Sequence, residues 1–182
     1  MLAASRPEMH DGAMPSLPSE SAQTESPPWQ RSLPHPPTPL IGRETVLSEI
    51  LSIVANNRGR VITLSGAGGV GKTRLAIEAA RQMATAFDDG VAFVSLASVT
   101  DPALVPATIA QSLNIVLSSA SLPERIGAIL KDKRLLLVLD NFEHLVDAAP
   151  LVSRLQAATS RLSILVTSRV RLRGWLSAVL AS

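Results

Sequence analysis

Apolar residues follow two alternating spacings from residue 40 onwards, and this alternation predicts the fold class. Short apolar runs of strand length lie at residues 60–65, 90–96, 135–140 and 162–168. Between these runs, apolar residues recur at the spacing of an amphipathic helix. Strands that alternate with helices form a mostly parallel sheet with helices on both faces, so we expect an α/β fold.

Individual residues predict several helix boundaries within this pattern. Asp101, which is followed by a proline, is typical of a helix cap and first turn. Ser121 and Glu124 have the spacing of a capping box. Pro150 lies inside the apolar pattern of residues 145–158, so we expect a break or kink in that helix.

Residues 1–39 lack the periodicity and predict a disordered leader rich in proline and serine. Nine of the thirteen prolines lie there, and the segment has no apparent apolar face with which to dock. Residues 34–39 are typical of local polyproline II structure. Such a segment serves more often as a linker than as a ligand for a partner's aromatic groove.

Composition and charge exclude several classes of function. The chain has 182 residues, a net charge of +2 and no cysteine, which predicts one domain without disulfides or thiolate chemistry. The small positive excess does not predict direct DNA binding by these residues. The three histidines are scattered, and no apolar run reaches the length of a membrane span. We therefore expect a cytoplasmic protein with no membrane partner.

A glycine-rich segment between the first predicted strand and the next helix fits the phosphate-binding loop G-x-x-x-x-G-K-[ST]. The residues of this loop that we expect to bind nucleotide are Gly66, Gly68, Gly69, Val70, Gly71, Lys72 and Thr73. Glycines let the backbone approach a phosphate with no Cβ in the way. Backbone N–H groups and the N-terminus of the helix then attract the phosphates, so the predicted ligand is ATP or ADP.

Polar side chains also follow two other predicted strands, where parallel sheets bind their ligands. Asp140 ends an unbroken apolar run and fits the Walker B carboxylate that holds Mg²⁺, although a structural strand-end cap is the alternative. Arg169 follows the last strand and can reach a γ-phosphate, unless it is a surface arginine in a turn. Lys72, Asp140 and Arg169 are therefore the predicted catalytic residues, and Thr73 and Asp140 are the predicted Mg²⁺ ligands.

Four segments together resemble a known family. Ile41-Gly42-Arg43-Glu44 resembles the G-R-E box of signal-transducing NTPases of the STAND class. Residues 64–76, 137–145 and 164–169 resemble the Walker A, Walker B and sensor segments of the same class. The combination is most similar to the NB-ARC-like ATPase domains of bacterial LuxR-type and AfsR/SARP-type transcriptional regulators, and it covers residues 40–173.

The resemblance implies a P-loop NTPase three-layer sandwich that works as a nucleotide-dependent switch. ADP would hold a closed state, and ATP would favour an open state that self-associates or engages other regulator domains. Arg43 would lie near the adenine and ribose, Arg74 would belong to the nucleotide site, and Arg169 would be the sensor arginine. The strand that ends near Thr167 would lie between the P-loop strand and the Asp140 strand.

The chain departs from the broader group after Asp140. Many of these ATPases carry a second acid there to polarise water, whereas this chain has Asn141, which cannot act as a base. Glu143 is the nearest carboxylate, and it could also be a favourable first-turn charge of the next helix. We expect slow hydrolysis at most, as in a weak ATPase. The alternatives are a catalytic ATPase or phosphotransferase and an inactive remnant.

The end of the chain also departs from the family. The resembled proteins continue into another strand and into helical and winged-helix domains, whereas residues 174–182 do not resemble them. This difference predicts a truncated domain whose sheet is incomplete. The P-loop strand would then have an exposed edge, which favours aggregation.

Overall fold

The computed structural model describes residues 33–56, 60–116, 121–172 and 174–179. The strands within these ranges are β1 (Val61–Ser65), β2 (Val91–Ser95), β3 (Leu136–Asp140), β4 (Ser163–Ser168) and β5 (Leu176–Val179). The α-helices are α1 (Glu44–Asn56), α2 (Lys72–Gln82), α3 (Val105–Ser112), α4 (Leu122–Leu130) and α5 (Ala149–Ala158). Short 3-10 turns lie at Ala84–Ala86, Pro102–Leu104, Phe142–His144 and Val146–Ala148.

The strands form one sheet in the order β2-β3-β4-β1-β5, and every neighbouring pair is parallel. The predicted α/β class is therefore confirmed. The expected strand order is also found, since β4 lies between β1 and β3. Because all strands run in the same direction, the carboxyl ends of β1, β3 and β4 meet at one edge of the sheet.

Helices cover both faces of the sheet, and strand residues alternate between them. In β3, Leu137 and Leu139 belong to one buried cluster, while Leu136 and Val138 belong to the other. The first cluster includes α3, α4 and α5, and the second includes α1 and α2. This alternation follows from the two-residue repeat of a strand, and it produces the three-layer sandwich.

Charged residues join the amino ends of β2 and β3. Asp89 Oδ1 accepts a hydrogen bond from Lys133 Nζ at 2.9 Å, and Oδ2 accepts one from Arg134 N at 2.8 Å. Burial alone would raise the pKa of Asp89. These hydrogen bonds and the positive charges of Lys133 and Arg161 hold the pKa below its ordinary value.

The helix boundaries agree with the sequence only in part. Asp101 acts as a cap, because its side chain accepts a hydrogen bond from Ala103 N at 2.9 Å. The expected capping box does not form, since the Ser121 side chain makes no capping hydrogen bond. At Pro150 the structure shows the break, and not the kink, of the two expected alternatives. Two 3-10 turns precede it, so it lies in the first turn of α5, where proline is tolerated.

The expectation of an exposed edge on the P-loop strand is wrong. Residues 176–179 form β5, which pairs with β1 over Ile62↔Leu176 to Ser65↔Val179. The predicted non-family tail therefore supplies a fifth strand to a sheet that we expected to be incomplete. Strand pairing uses backbone groups that every residue except proline carries in full, so the family pattern gave no sign of it.

The last residues of the predicted leader contact the domain. We call residues 33–40 the strap. Its described residues form no helix or strand, but Leu33 and Leu40 pack against the cluster of α1 and α2. The Arg74 guanidinium donates a hydrogen bond to the Thr38 carbonyl, and Arg81 contacts His35. The prediction that the leader has no residue with which to dock is therefore wrong for residues 33–39. Residues 1–32 lie outside the described ranges.

Candidate nucleotide-binding site

The phosphate loop joins β1 to α2 through glycines in left-handed backbone conformations. Gly69 has φ +82° and Gly71, which caps α2, has φ +85°; both lie in the left-handed region that favours glycine. A Cβ at either position would meet nothing within 4 Å, so the need for glycine is conformational. Gly68 differs, because a Cβ there would lie 3.8 Å from Arg169 Cζ.

Lys72 folds back over the loop that precedes it. Its Nζ donates hydrogen bonds to the Gly66 carbonyl at 2.9 Å and to the Ala67 carbonyl at 2.8 Å. An ammonium group has three donors, so it can hold both carbonyls and still reach an anion. The loop therefore positions a positive charge beside its own backbone N–H groups.

Asp140 lies at the centre of a small network of hydroxyl groups. Its Oδ1 accepts a hydrogen bond from Thr73 Oγ1 at 2.7 Å and another from Thr167 Oγ1 at 2.6 Å. Asn141 N in turn donates to Thr167 Oγ1 at 3.0 Å. The predicted metal ligands Thr73 and Asp140 are thus in direct contact. The sequence did not single out Thr167 as a site residue, although it lies beside Asp140 at the end of β4.

The surroundings of Asp140 fit a divalent cation. Asp140 is only 4% exposed, and it forms no salt bridge with any other described residue. A buried carboxylate without a cation is costly. Mg²⁺ commonly takes one or two carboxylates and completes its shell with water and phosphate oxygens. No group of three or more His, Cys, Asp or Glu with metal-site geometry occurs among the described residues, so a nucleotide would have to supply further ligands.

A cavity of about 410 Å³ opens beside this network. Its lining comprises Pro36, Gly68, Gly69, Gly71, Lys72, Thr73, Arg74, Ile77, Asn141, Glu143 and Arg169. Most predicted nucleotide-binding residues therefore surround one space, together with the predicted sensor Arg169. Pro36 and Ile77 were not predicted, and no motif in the sequence could have identified them.

Three predicted nucleotide-binding residues do not line the cavity. Gly66 takes part through its carbonyl, which holds Lys72. Val70 packs against the cluster of α1 and α2. Arg43 lies at the start of α1, where its carbonyl accepts a hydrogen bond from Leu47 N at 2.9 Å. Its contact with adenine and ribose stays a prediction.

Arg169 and Glu143 form an ion pair at the mouth of the cavity. Arg169 Nε lies 2.9 Å from Glu143 Oε1. The Glu143 side chain is 16% exposed, whereas the Arg169 side chain is 64% exposed. The sequence gave reasons to consider each residue alone, but not their pairing.

A glycine-rich loop between a parallel strand and a helix, with threonine and aspartate at the neighbouring strand ends, defines a P-loop NTPase domain. The model of the NB-ARC domain family matches residues 43–172. The chain therefore belongs to the NB-ARC domain family.

Relatives with curated names are bacterial regulators. The chain is 43% identical over 120 residues to a protein of Mycobacterium tuberculosis named as an HTH-type transcriptional regulator, covering 65% of this chain and 13% of that protein. It is 34% identical over 143 residues to the regulatory protein AfsR of Streptomyces griseus, covering 72% of this chain and 14% of AfsR. The chain thus spans about one seventh of the length of these relatives.

Solved structures share the fold at low sequence identity. A Pyrococcus horikoshii STAND protein with a tetratricopeptide repeat sensor has a TM-score of 0.54 and 18% identity, covering 84% of this chain and 24% of that protein. Cdc6p from Pyrobaculum aerophilum has a TM-score of 0.53 and 19% identity, covering 75% and 41%. These similarities establish the P-loop ATPase fold and nothing finer.

Proposed function

We propose that this domain binds ATP or ADP with Mg²⁺ and acts as a nucleotide-dependent switch module of a transcriptional regulator. The observation that carries the proposal is the contact of Thr73 with Asp140 beside the phosphate loop. Thr73 and Lys72 both line the cavity, and the Thr73 hydroxyl donates a hydrogen bond to the buried carboxylate of Asp140 behind it. These groups match the needs of a nucleotide phosphate chain and its metal ion.

The residues divide the work between phosphate and metal. Lys72 and the loop N–H groups would hold the phosphates, and Thr73 and Asp140 would ligate Mg²⁺ directly or through water. Bound Mg²⁺ would neutralise phosphate charge and orient the terminal phosphate. The hydroxyl of Thr167 would keep the Asp140 carboxylate in position, since it already holds the same oxygen at 2.6 Å.

The site supports slow hydrolysis or none. Asn141, at the position of the second acid of many relatives, has no basic group. The nearest carboxylate, Glu143, already carries an ion pair with Arg169. Slow turnover suits a switch, because the ATP-bound state of the domain then lasts longer. A measured turnover number for ATP hydrolysis of about 10 per second, which is typical of enzymes, would contradict this part of the proposal.

The regulatory role rests on the relatives. The named relatives are regulators, and this chain matches about one seventh of their length. We therefore propose that the domain works in the cytoplasm and passes its nucleotide state to other regulator domains or to a second copy. DNA contact would fall to other domains. None of the described helices combines the length and apolar character needed to cross a bilayer.

Replacing Lys72 by alanine tests the binding proposal. We expect Lys72→Ala to weaken ATP and ADP binding by about 2–5 kcal/mol, because a partner of the phosphate charge is lost. Isothermal titration calorimetry in Mg²⁺ buffer measures the change. Lys131→Ala is the matched control, since Lys131 is an exposed lysine at the end of α4 and outside the cavity. Equal nucleotide affinities of the parent and the Lys72 variant would contradict the proposal that this loop binds the phosphates.

A further inference from the structure

The ion pair between Arg169 and Glu143 is held in place by buried groups. Asn141 has φ +66°, and the 3-10 turn that follows places Glu143 beside the cavity. Phe142 is fully buried and anchors that turn. The hydrogen bond from Asn141 N to Thr167 Oγ1 ties the turn to the end of β4 at 3.0 Å. Both partners therefore project from backbone segments that are joined to each other.

The arginine of this pair lies against the phosphate loop. A Cβ at Gly68 would lie 3.8 Å from Arg169 Cζ, so the guanidinium lies in van der Waals range of the loop. Both Arg169 and Glu143 line the cavity together with Lys72 and Thr73. The guanidinium is consequently within the region that the phosphates of a bound nucleotide would enter.

The Arg169 guanidinium could therefore pair with either of two anions, the Glu143 carboxylate or the terminal phosphate of a bound nucleotide. Glu143 holds it through Nε, and a terminal phosphate would attract it with a larger charge. ADP has no γ-phosphate, so the ion pair can persist when ADP is bound. A triphosphate must either draw the guanidinium away from Glu143 or share it with Glu143 through the Nη groups. The lost ion pair in the first case, and the repulsion between the two anions in the second, lower its net affinity.

We propose that Glu143 sets the preference of the site between nucleoside diphosphate and triphosphate by competing for Arg169. Glu143 is a positioning residue, because it acts on the nucleotide through the arginine. The inference rests on the proposed nucleotide binding, and it adds a residue that biases the site towards the diphosphate. Removing the carboxylate would shift the preference towards the triphosphate.

A double-mutant cycle tests the proposal. Binding of Mg-ADP and of the non-hydrolysable analogue Mg-AMP-PNP is measured by calorimetry for the parent, Glu143→Gln, Arg169→Gln and the double variant. We expect Glu143→Gln to raise the affinity for AMP-PNP by about fivefold and to leave that for ADP nearly unchanged, as suits a half-exposed ion pair. The gain should disappear in the double variant. Asp147→Asn is the control, because it removes an exposed acid of the next turn.

The outcomes separate this inference from the proposed function. If the Glu143→Gln gain persists without Arg169, or if ADP gains equally, Glu143 acts as a plain negative charge and the inference is wrong. If Glu143→Gln abolishes hydrolysis without changing either affinity, Glu143 is a base and the inference is again wrong. If the folded parent binds neither nucleotide, the proposed function itself fails. Thermal unfolding of each variant establishes that it is folded.

Discussion

Two aspartates at opposite ends of the sheet strands differ in how the protein compensates their charge. Asp89, at the amino edge, is held by the Lys133 ammonium and by Arg134 N. Asp140, at the carboxyl edge, is more deeply buried and accepts its hydrogen bonds from the hydroxyls of Thr73 and Thr167. The first charge is balanced within the protein, whereas the second is oriented by neutral groups. This difference supports the proposed cation site at Asp140.

Replacing each carboxylate by an amide tests the difference between the two aspartates most directly. We expect Asp140→Asn to reduce nucleotide affinity in Mg²⁺ by at least about tenfold and to have much less effect in EDTA, because the carboxylate serves the metal. Asp89→Asn should leave the Mg²⁺ dependence unchanged. Calorimetry in the two buffers measures both variants. An equal loss in Mg²⁺ and EDTA for Asp140→Asn would mean that Asp140 is structural as well.

Removing the strap tests whether the carboxyl edge is built by the sheet alone. A chain that starts at residue 41 loses the packing of Leu33 and Leu40 and the Thr38 carbonyl that Arg74 holds. We expect a loss of roughly 2 kcal/mol, from partly buried leucines, and a melting temperature lower by about 4–8 °C. Weaker nucleotide binding should follow, since Pro36 lines the cavity.

A chain that starts at residue 33 is the matched control for this shortening. Leu33→Ala should reproduce part of the loss, whereas Ile41→Ala should not, because Ile41 is 80% exposed. Identical melting curves for the chains that start at residues 33 and 41 would show that the strap is only a linker, as its composition alone indicates.

The smallest expected effect lies at the amino edge and depends on pH. The pKa of Asp89 is lowered in the folded protein, so its stabilisation is complete above the ordinary value of 3.8 and is lost as pH falls through the lower folded value. We expect Asp89→Asn to cost about 1 kcal/mol or less at pH 7, and the difference from the parent to vanish in strong acid. Urea unfolding at pH 7, 4 and 3 measures it.

Asp88→Asn is the control for that experiment, because the Asp88 side chain is 71% exposed and its ion pair with Arg134 lies at the surface. It should change stability less than Asp89→Asn. Parallel loss of stability in the parent and in Asp89→Asn below pH 4 would show that another carboxylate governs the acid limb.

Sequence reasoning succeeded where the signal was local and failed where it was not. Strands β1 to β4 were predicted to within one residue, because buried parallel strands are continuous apolar runs. The choice between a break and a kink at Pro150 stayed open, because a proline in a first turn and a proline in a helix interior look the same in a periodic pattern. β5 was missed because its pairing with β1 depends on backbone groups and on the free edge that the fold provides.

The candidate site divides in the same way. The geometry of the loop was predictable from contiguous residues, since Gly69 and Gly71 adopt left-handed conformations and Lys72 bonds to carbonyls of its own loop. The position of Asp140 beside this loop was also predictable, because an acid that ends an apolar run lies at the carboxyl end of a parallel strand. The role of Thr167 was not, because its hydroxyl serves Asp140 across 27 positions of the chain.

The sequence by itself determined the class of the fold, the position of the phosphate-loop motif and the end of the sheet at which the polar residues of the proposed site meet. Only the tertiary structure decided that Glu143 holds Arg169, that Pro36 lines the cavity and that residues 176–179 complete the sheet. The physical reason is range. Backbone conformation and apolar periodicity are set by neighbours in sequence, whereas ion pairs, cavity walls and strand edges are set by packing between distant segments.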